Sequence, residues 1–346
     1  LFIRLDIYGR FATALVYVPR ERFNTQLRMR MQQILLEAFN GYSVDFSVLL
    51  SEQPLARVQL IVHGKQMRAI HFRVEDIEQR IRDAMLSWED HLHQALLSKY
   101  AEARANQLFK QYKRAFPVAY KDHFSPQVAV MDMLRLDNIT TEAGLSSYLY
   151  RSIHQADQNL SFKVFGRGHA RALSDVLPIL EHMGVRVINA HPYLIQKDAK
   201  INYWIIAFDI VVDASIDLEV HDIKERFQNA FSQIYHGQVD NDGYNKLVLA
   251  ASLNWREVTV MRAISKYLSQ IRVPFSQSYM QDTLAVNPSI TRALMNLFVA
   301  RFKPQKAADD AHQMHLLDGI QQALEQVSNL DEDRILKHFL AVIQAM

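Results

Sequence analysis

Extended apolar runs occur in two separated parts of this 346-residue chain, and in each part they alternate with an amphipathic helical pattern. In the first part, residues 11–18 form an extended run that ends at Pro19, and runs 44–50 and 55–62 follow as a hairpin. Asn24 is placed to cap a helix with one apolar face. The β-α-β-β order is typical of a ferredoxin-like unit, in which a helix covers one face of an antiparallel sheet.

Two finer features of this first unit also follow from the pattern. Residues 11–18 are apolar at nearly every position, which predicts a strand covered on both faces. Residues 70–74 predict a short additional strand.

A second unit of the same type is predicted over residues 146–234. It contains a helix with Ser174 at its N-cap and Gly184 at the usual stop position. A further amphipathic helix begins at Asp217. The extended runs of this unit cover residues 147–153, 160–165, 185–188 and 201–212.

The remaining segments have a helical period. Residues 74–116 follow that period, and Trp88 lies on the apolar stripe, where it is predicted to be a core residue. After Gly243 every periodic segment is helical, and Asn and Pro residues separate short helices. The chain is therefore predicted to be α+β, with two antiparallel-sheet modules, a helical insert and a C-terminal all-helical region. The predicted boundaries are 1–74, 75–145, 146–236 and 237–346.

Composition narrows the classes of partner. Lys and Arg total 39 and Asp and Glu total 37, so a net charge of +2 gives no general attraction to nucleic acid or to an anionic membrane. The longest apolar runs are far shorter than the roughly 20 residues of a spanning helix. The absence of cysteine excludes disulfides and fits a reducing cytoplasm. We therefore expect a cytoplasmic location, with neither nucleic acid nor membrane as a partner.

No motif in the sequence carries an evident catalytic or cofactor-binding chemistry. Gly166-Arg167-Gly168 resembles the start of a dinucleotide-binding loop, but Arg171 occupies the third small position and no helix begins at once. His312 and His315 can share a helix face, yet no further ligand lies at a metal-binding spacing. We expect no catalytic residue, no bound cofactor and no metal site in these residues.

One longer stretch, residues 239–270, is too irregular to be explained by helical periodicity alone. It contains Asn241-Asp242-Gly243-Tyr244-Asn245 and Trp255-Arg256-Glu257-Val258, and Ser87-Trp88-Glu89-Asp90 and Ala115-Phe116-Pro117 occur earlier in the chain. These residues resemble segments of the large NAD-specific glutamate dehydrogenase family, and the resemblance covers most of the chain.

The resemblance implies that the two sheet units are ACT-like modules of an N-terminal region, and that a catalytic domain of the same polypeptide begins beyond Met346. Leu1 in place of an initiator Met also indicates a piece of a longer protein. The parent would convert L-glutamate, NAD and water to 2-oxoglutarate, ammonium and NADH, with NAD bound outside this region. The region itself would support homo-oligomer contacts and allosteric control by an amino-acid effector. The alternative is a stand-alone ACT-like amino-acid-sensing or scaffold protein without enzymatic activity.

The strand-to-helix turn of the first module is the predicted contact for an effector or a partner, because ACT-like modules commonly receive an effector there. Its candidate residues are Arg20, Arg22, Asn24 and Arg28. A solvated basic face is the alternative explanation of this basic run.

In the second module, Gly184 and Asp209 are the candidates for an effector or interface contact. The run 201–212 is predicted to form an exposed strand edge, which would serve as an assembly surface because such edges pair across subunits.

Overall fold

The described residues fold into two compact units, which comprise residues 1–113 with 123–130, and residues 114–122 with 131–346. The computed structural model describes residues 1–49, 54–65, 67, 70–141, 144–151, 159–197, 202–213, 222–302 and 310–346.

The first unit is built on a four-stranded antiparallel sheet with the strand order β1-β2-β4-β3. One helix lies between the second and third strands and another follows the fourth strand. Two further helices come next in the chain. The elements are β1 (Phe2–Leu5), β2 (Phe11–Pro19), α1 (Thr25–Ala38), β3 (Ser43–Leu49), β4 (Leu55–His63), α2 (Val74–Met85), α3 (Trp88–Lys99) and α4 (Glu102–Tyr112).

One face of this sheet carries the core of the unit. Ala14 and Val16 on β2 are buried and share a cluster with Met31 and Leu35 of α1. The helix begins as predicted, because Asn24 is its N-cap and accepts a hydrogen bond from the backbone N–H of Leu27 at 2.8 Å. The ferredoxin-like arrangement predicted from the sequence is confirmed.

Three details of this unit differ from the sequence-based expectation. The sheet gains β1, which was not predicted. Strand β2 is buried on one face only, since its buried residues alternate with half-buried ones and Tyr17 is 42% exposed. Residues 70–73 form no strand; instead Phe72 packs edge-on against Phe39 at 4.9 Å, and α2 begins at Val74.

The predicted helical segment 74–116 is divided into three helices. A capping box starts α3, in which the side chain of Ser87 accepts from the N–H of Asp90 and the Asp90 carboxylate accepts from the N–H of Ser87. Trp88 is half-buried and its indole N–H donates to the carbonyl of Phe124 at 3.0 Å, so it is less enclosed than predicted.

Helices α5 (Val118–His123) and α6 (Pro126–Asp137) follow, and a second antiparallel sheet has the order β5-β6-β8-β7. Strand β8 covers most of the run 201–212 and is central, paired with β6 on one side and β7 on the other. The predicted exposed edge is therefore wrong: an apolar strand buried on both faces lies inside a sheet. The elements are β5 (Leu145–Tyr150), β6 (Asn159–Arg167), α7 (Leu173–His182), β7 (Arg186–Gln196), β8 (Asn202–Val211) and α8 (Ile223–Tyr235).

Helix α7 shows one wrong and one confirmed boundary. Ala172 rather than Ser174 is at the N-cap, and no side chain caps this end. At the other end Gly184 has φ of +82°, its N–H donates to the carbonyl of Glu181, and the N–H of Val185 donates to that of Leu180. This is a Schellman motif, which favours glycine. The predicted start at Asp217 lies outside the described residues.

Both faces of the second sheet are covered. On one face Phe162 packs against Phe227 and Phe231 of α8, with ring centroids 5.3 and 5.0 Å apart. Most of the other face is buried as well, and residues of the segments 114–122 and 131–137 lie against it, as the backbone hydrogen bond from Gln196 to Ala115 and the ion pair of Lys163 with Asp132 illustrate.

The C-terminal part is helical, as predicted, and it shares one continuous core with the second sheet, α7 and α8. The four-part division of the chain stays a prediction. No helix among the described residues is both long and apolar enough to cross a membrane. The helices are a 3-10 turn (Gly243–Lys246), α9 (Leu247–Ala250), α10 (Trp255–Gln270), α11 (Gln277–Val286), α12 (Pro288–Phe302), α13 (Asp310–Leu324) and α14 (Leu330–Ala345).

Candidate functional site

The most unusual polar feature is a buried ion pair in the second unit. Lys163 on β6 is 1% exposed and Asp132 on α6 is 3% exposed. The Lys163 ammonium donates to Oδ2 of Asp132 at 2.6 Å, and the hydroxyl of Tyr120 on α5 donates to the same oxygen at 2.5 Å. The pair therefore ties two helices to the middle of the sheet.

Tyrosine rings surround the ammonium group. Nζ of Lys163 lies 5.6 Å from the ring centroid of Tyr120 and 5.9 Å from that of Tyr150, within the range of cation–π attraction. Tyr193 on β7 packs edge-on against Tyr120 at 5.3 Å. Burial raises the pKa of Tyr120 and of Tyr150, and it raises the pKa of Tyr193 to about 12. These hydroxyls therefore stay protonated near neutral pH.

Burial also acts on both members of the pair. It raises the pKa of Asp132 and lowers the pKa of Lys163, because a low-dielectric interior disfavours each charge, while the attraction between them opposes both shifts. A lysine with a lowered pKa resembles an amine catalyst. However, side-chain exposures of 1% for Lys163 and 4% for Asp132 leave no surface on which a substrate could meet these atoms. The arrangement serves packing rather than chemistry.

The second polar cluster explains the irregular run 239–270. Arg262 of α10 is 3% exposed, and its guanidinium donates to both carboxylate oxygens of Asp242, at 2.7 and 2.9 Å. It also donates to Oδ1 of Asn245 at 2.8 Å and to the carbonyl of Asp240 at 3.2 Å. The planar guanidinium of Arg262 thus hydrogen bonds with three residues of the loop 240–245 and holds that loop against α10.

The other residues of that run have similar structural roles. The hydroxyl of Tyr244 is buried, hydrogen bonds with Oγ of Ser265 and donates to Oε1 of Gln277 at 2.9 Å. A Cβ atom at Gly243 would collide with the side-chain amide of Gln281. The residues Asp242, Tyr244, Asn245 and Arg262 of the run 239–270 therefore build a polar core in the helical region.

The predicted effector turn is exposed, but its side chains do not converge on one point. Arg22 donates to Asp90 at 3.0 Å and to the carbonyl of Met85 at 3.3 Å. The guanidinium of Arg28 lies 4.1 Å from the ring centroid of Phe46 and donates to Gln32. Asn24 caps α1, as described above, and Arg20 lies in the turn that follows β2.

Gly184 and Asp209 lie at separate places in the second unit. Gly184 ends α7, as the Schellman motif requires. Asp209 is half-buried on β8, where it accepts from the side-chain amide of Asn189 at 3.2 Å.

The glycine pair after the strand of residues 160–165 does not form a pyrophosphate loop. Gly166 lies within β6, and a Cβ atom there would collide with the indole ring of Trp204 on β8. Gly168 has φ of +80° in the turn that follows, and α7 begins only at Leu173. Glycine is required at 166 because the indole ring of Trp204 occupies the space of a side chain. These residues therefore do not form a binding loop for a dinucleotide.

An apolar groove of about 630 Å³ opens on the helical region between α10, α12 and α14. Ile264, Tyr267, Phe298, Val342 and Met346 are among its lining residues, and none of the described lining residues is Asp, Glu, Lys or Arg. The groove can bind apolar groups, and its lining also includes the imidazole of His338.

Sequence reasoning did not find the pair of Lys163 and Asp132. The available signal was a single lysine inside the apolar strand Leu160-Ser161-Phe162-Lys163-Val164, since an unpaired charge is rarely buried. Among the described residues, no group of three or more His, Asp or Glu is arranged to hold a metal, and this includes the region around His312 and His315.

Comparison with known proteins assigns the parts of the chain. Family models match residues 1–89 (Glutamate dehydrogenase, ACT2 domain), 95–139 (Glutamate dehydrogenase, helical motif 2), 144–223 (Glutamate dehydrogenase, ACT3 domain) and 239–304 (Glutamate dehydrogenase, helical motif 3).

Three curated relatives align over the whole chain, and each is named NAD-specific glutamate dehydrogenase. They come from Halomonas elongata (36% identity), Pseudomonas aeruginosa (35%) and Mycobacterium tuberculosis (30%), and the chain spans 21%, 22% and 22% of their lengths. The chain therefore covers about a fifth of each relative. It belongs to the large NAD-specific glutamate dehydrogenase family, in which it spans the ACT2 and ACT3 domains with helical motifs 2 and 3.

Proposed function

We propose that this segment is a non-catalytic regulatory and oligomerisation region of a large NAD-dependent glutamate dehydrogenase. The parent polypeptide would convert L-glutamate, NAD and water to 2-oxoglutarate, ammonium and NADH in the cytoplasm. NAD and glutamate would bind in a catalytic domain of the same polypeptide, outside these residues.

The observation that carries this proposal is that three groups which resemble catalytic or cofactor-binding machinery have structural roles instead. The lysine with a lowered pKa is enclosed by its carboxylate partner and by tyrosines. The glycine pair is occluded by Trp204. The family signature around Asp242 and Arg262 is a closed polar core. A region with these properties supports a catalytic domain rather than containing one.

The open edges of the two sheets support the oligomerisation part of the proposal. In the second sheet the edge strands are β5 and β7, and β7 exposes Ile188 (51%) and Leu194 (49%). Apolar edge strands of this kind pair readily with another chain. We expect the homo-oligomer contacts of the parent to involve such an edge.

The regulatory part of the proposal concerns the exposed turn between β2 and α1. Arg20 and Arg22 present positive charge there, which suits the carboxylate of an amino-acid effector, and the ion pair between Arg22 and Asp90 is exposed enough to exchange partners. Calorimetry of the full-length protein with a panel of amino acids tests this. A bound amino acid whose affinity is unchanged in Arg22→Ala contradicts the assignment of the turn.

Glutamate-dependent reduction of NAD tests the proposal as a whole. We expect the full-length polypeptide to be active and the 346-residue segment to be inactive, because the buried Lys163–Asp132 pair and the occluded Gly166 are not placed for hydride or proton transfer. Light scattering on the full-length protein, with and without this segment, should show a smaller assembly when the segment is removed. An active segment, or a parent without this activity, contradicts the proposal.

A further inference from the structure

The two sheet modules of this chain have the same topology but differ in how their second faces are covered. Each has two strands, a helix, two strands and a helix, and the orders β1-β2-β4-β3 and β5-β6-β8-β7 correspond strand by strand. In each module the helices after the second and fourth strands cover one face. Only the opposite faces need to be compared.

The opposite face of the second sheet is enclosed over its centre, although Tyr148 on the edge strand β5 is 38% exposed. Phe165 and Lys163 on β6, Ile205 on β8 and Ile195 on β7 all lie on it and are 0–1% exposed. The helical segment that precedes this sheet supplies the cover, since Asp132 of α6 reaches Lys163 and Arg135 stacks on Tyr148 with 3.9 Å between the guanidinium carbon and the ring centroid.

Among the residues that the structure describes, none covers the opposite face of the first sheet in this way. We call it the open face, and it carries Phe2, Phe11, Leu15, Tyr17, Arg57 and Ile61, which the strand register places on one side. Phe2 is 66% exposed and Tyr17 is 42% exposed, and their rings meet edge-on at 6.3 Å. An apolar sheet face of this kind is rarely left to solvent.

Charge and shape indicate what would cover it. Arg4 and Arg57 are exposed on this face, and neither forms an ion pair with any described residue. A cavity of about 310 Å³, lined by residues that include Arg4, Phe11 and Thr13, lies beside β1 and is large enough for an inserted side chain. The second module pairs its lysine with an acidic residue on the covering helix, so the same chemistry suits an acidic, amphipathic helix here.

We propose that the open face binds an amphipathic, acidic helix of the same polypeptide that lies outside these 346 residues. The chain covers about a fifth of the length of its relatives, so polypeptide is available for this role. This proposal depends on one part of the proposed function, namely that the segment belongs to a longer polypeptide. Cross-linking does not require enzymatic activity, so the failure of one proposal is distinguishable from the failure of the other.

Photo-cross-linking in the full-length protein tests the occupant. A photoreactive benzoylphenylalanine replaces Tyr17 on the open face or, as a control, Tyr42, which is 71% exposed but precedes β3. Mixing isotope-labelled and unlabelled protein separates links within one chain from links between copies. We expect position 17, but not position 42, to link to a helical segment of its own chain beyond these residues.

Each other result overturns the proposal. Links between copies would make the face an oligomer contact, and links to residues 1–346 would mean that a part of this segment itself covers the face. Quenching by water alone at position 17 would mean that the face is open in the parent.

A charge test gives a second, independent readout. Arg57→Glu should lower the yield of the link from position 17 several-fold. Arg30→Glu, an exposed change on α1 at the opposite face, should leave the yield unchanged. Equal yields in both variants contradict the acidic character of the helix.

Discussion

The ammonium of Lys163 lies 2.6 Å from the carboxylate of Asp132, and both side chains are almost completely buried. The pair joins the central part of a sheet to a helix that precedes that sheet in the chain. Because each charge lacks water, each depends on the other, and the position of α6 on β6 depends on both. Its expected role is to fix this packing, and removal of one partner alone should lower the stability of the second unit.

Asp132→Asn should therefore destabilise the second unit strongly. Asparagine retains an acceptor for Tyr120, but it leaves the Lys163 ammonium buried without a counter-charge, a change that costs about 3–5 kcal/mol in comparable buried pairs. Native-state hydrogen exchange of the β6 amides measures the loss. The matched control is the double variant with Lys163→Met, which removes both charges and should recover much of the stability. A double variant no more stable than the single one contradicts this account.

Much of the fold follows from sequence patterns. Extended apolar runs predicted both sheets, Asn24 was placed correctly at the start of α1, and Gly184 was placed correctly at the end of α7. These are local signals, because a cap or a stop is decided within one turn of chain. Strand order is a long-range property, and for that reason the run 201–212 was predicted as an edge although β8 is central.

The candidate site was harder to predict. The partner of Lys163 is 31 residues away on a helix inside the predicted helical insert 75–145, whose own bounds were not predicted, and Arg262 contacts Asp242 across 20 residues of turn and helix. Neither distance has a sequence signature. The family resemblance pointed to the run around Asp242, but only the structure shows that this run forms a buried polar cluster with Arg262.

Gly166→Ala should destabilise the second sheet because the new methyl group would overlap the indole ring of Trp204, which is 5% exposed and held inside the core. Overpacking of this kind costs about 1–3 kcal/mol. Gly319→Ala is the control: it lies on an exposed part of α13 with nothing within 4 Å of the new Cβ atom, and it should stabilise its helix by about 0.5–1 kcal/mol. Chemical denaturation of both variants measures the difference, and a neutral Gly166→Ala would contradict the packing argument.

Arg262→Lys should destabilise the helical region although the charge is kept. A lysine ammonium cannot donate to both oxygens of Asp242 and to Asn245 in one plane, so at least one buried acceptor loses its partner, at about 1–3 kcal/mol. Lys266→Met removes the exposed pair with Asp240 and should change the stability by less than about 1 kcal/mol. Hydrogen exchange of the α10 amides compares the two. Equal effects would mean that the cluster contributes no more than a surface ion pair.

Alkaline pH should weaken the helical region through Tyr244. Burial raises the pKa of its hydroxyl to about 12, above the ordinary value of 10.0, so the folded state holds this proton more tightly than the unfolded state. Its contribution is complete below about pH 10 and is lost as the pH rises towards 12. Tyr244→Phe removes the ionisable group and should flatten the decline in stability over that interval, at the cost of about 1 kcal/mol at neutral pH for the lost hydrogen bonds.

Tyr267→Phe is the control, because this side chain is 49% exposed, and its stability should change with pH as that of the unsubstituted protein does. Denaturation midpoints between pH 8 and 12 measure the effect, and parallel curves for Tyr244→Phe and the unsubstituted protein would rule out Tyr244 as the source of the alkaline loss.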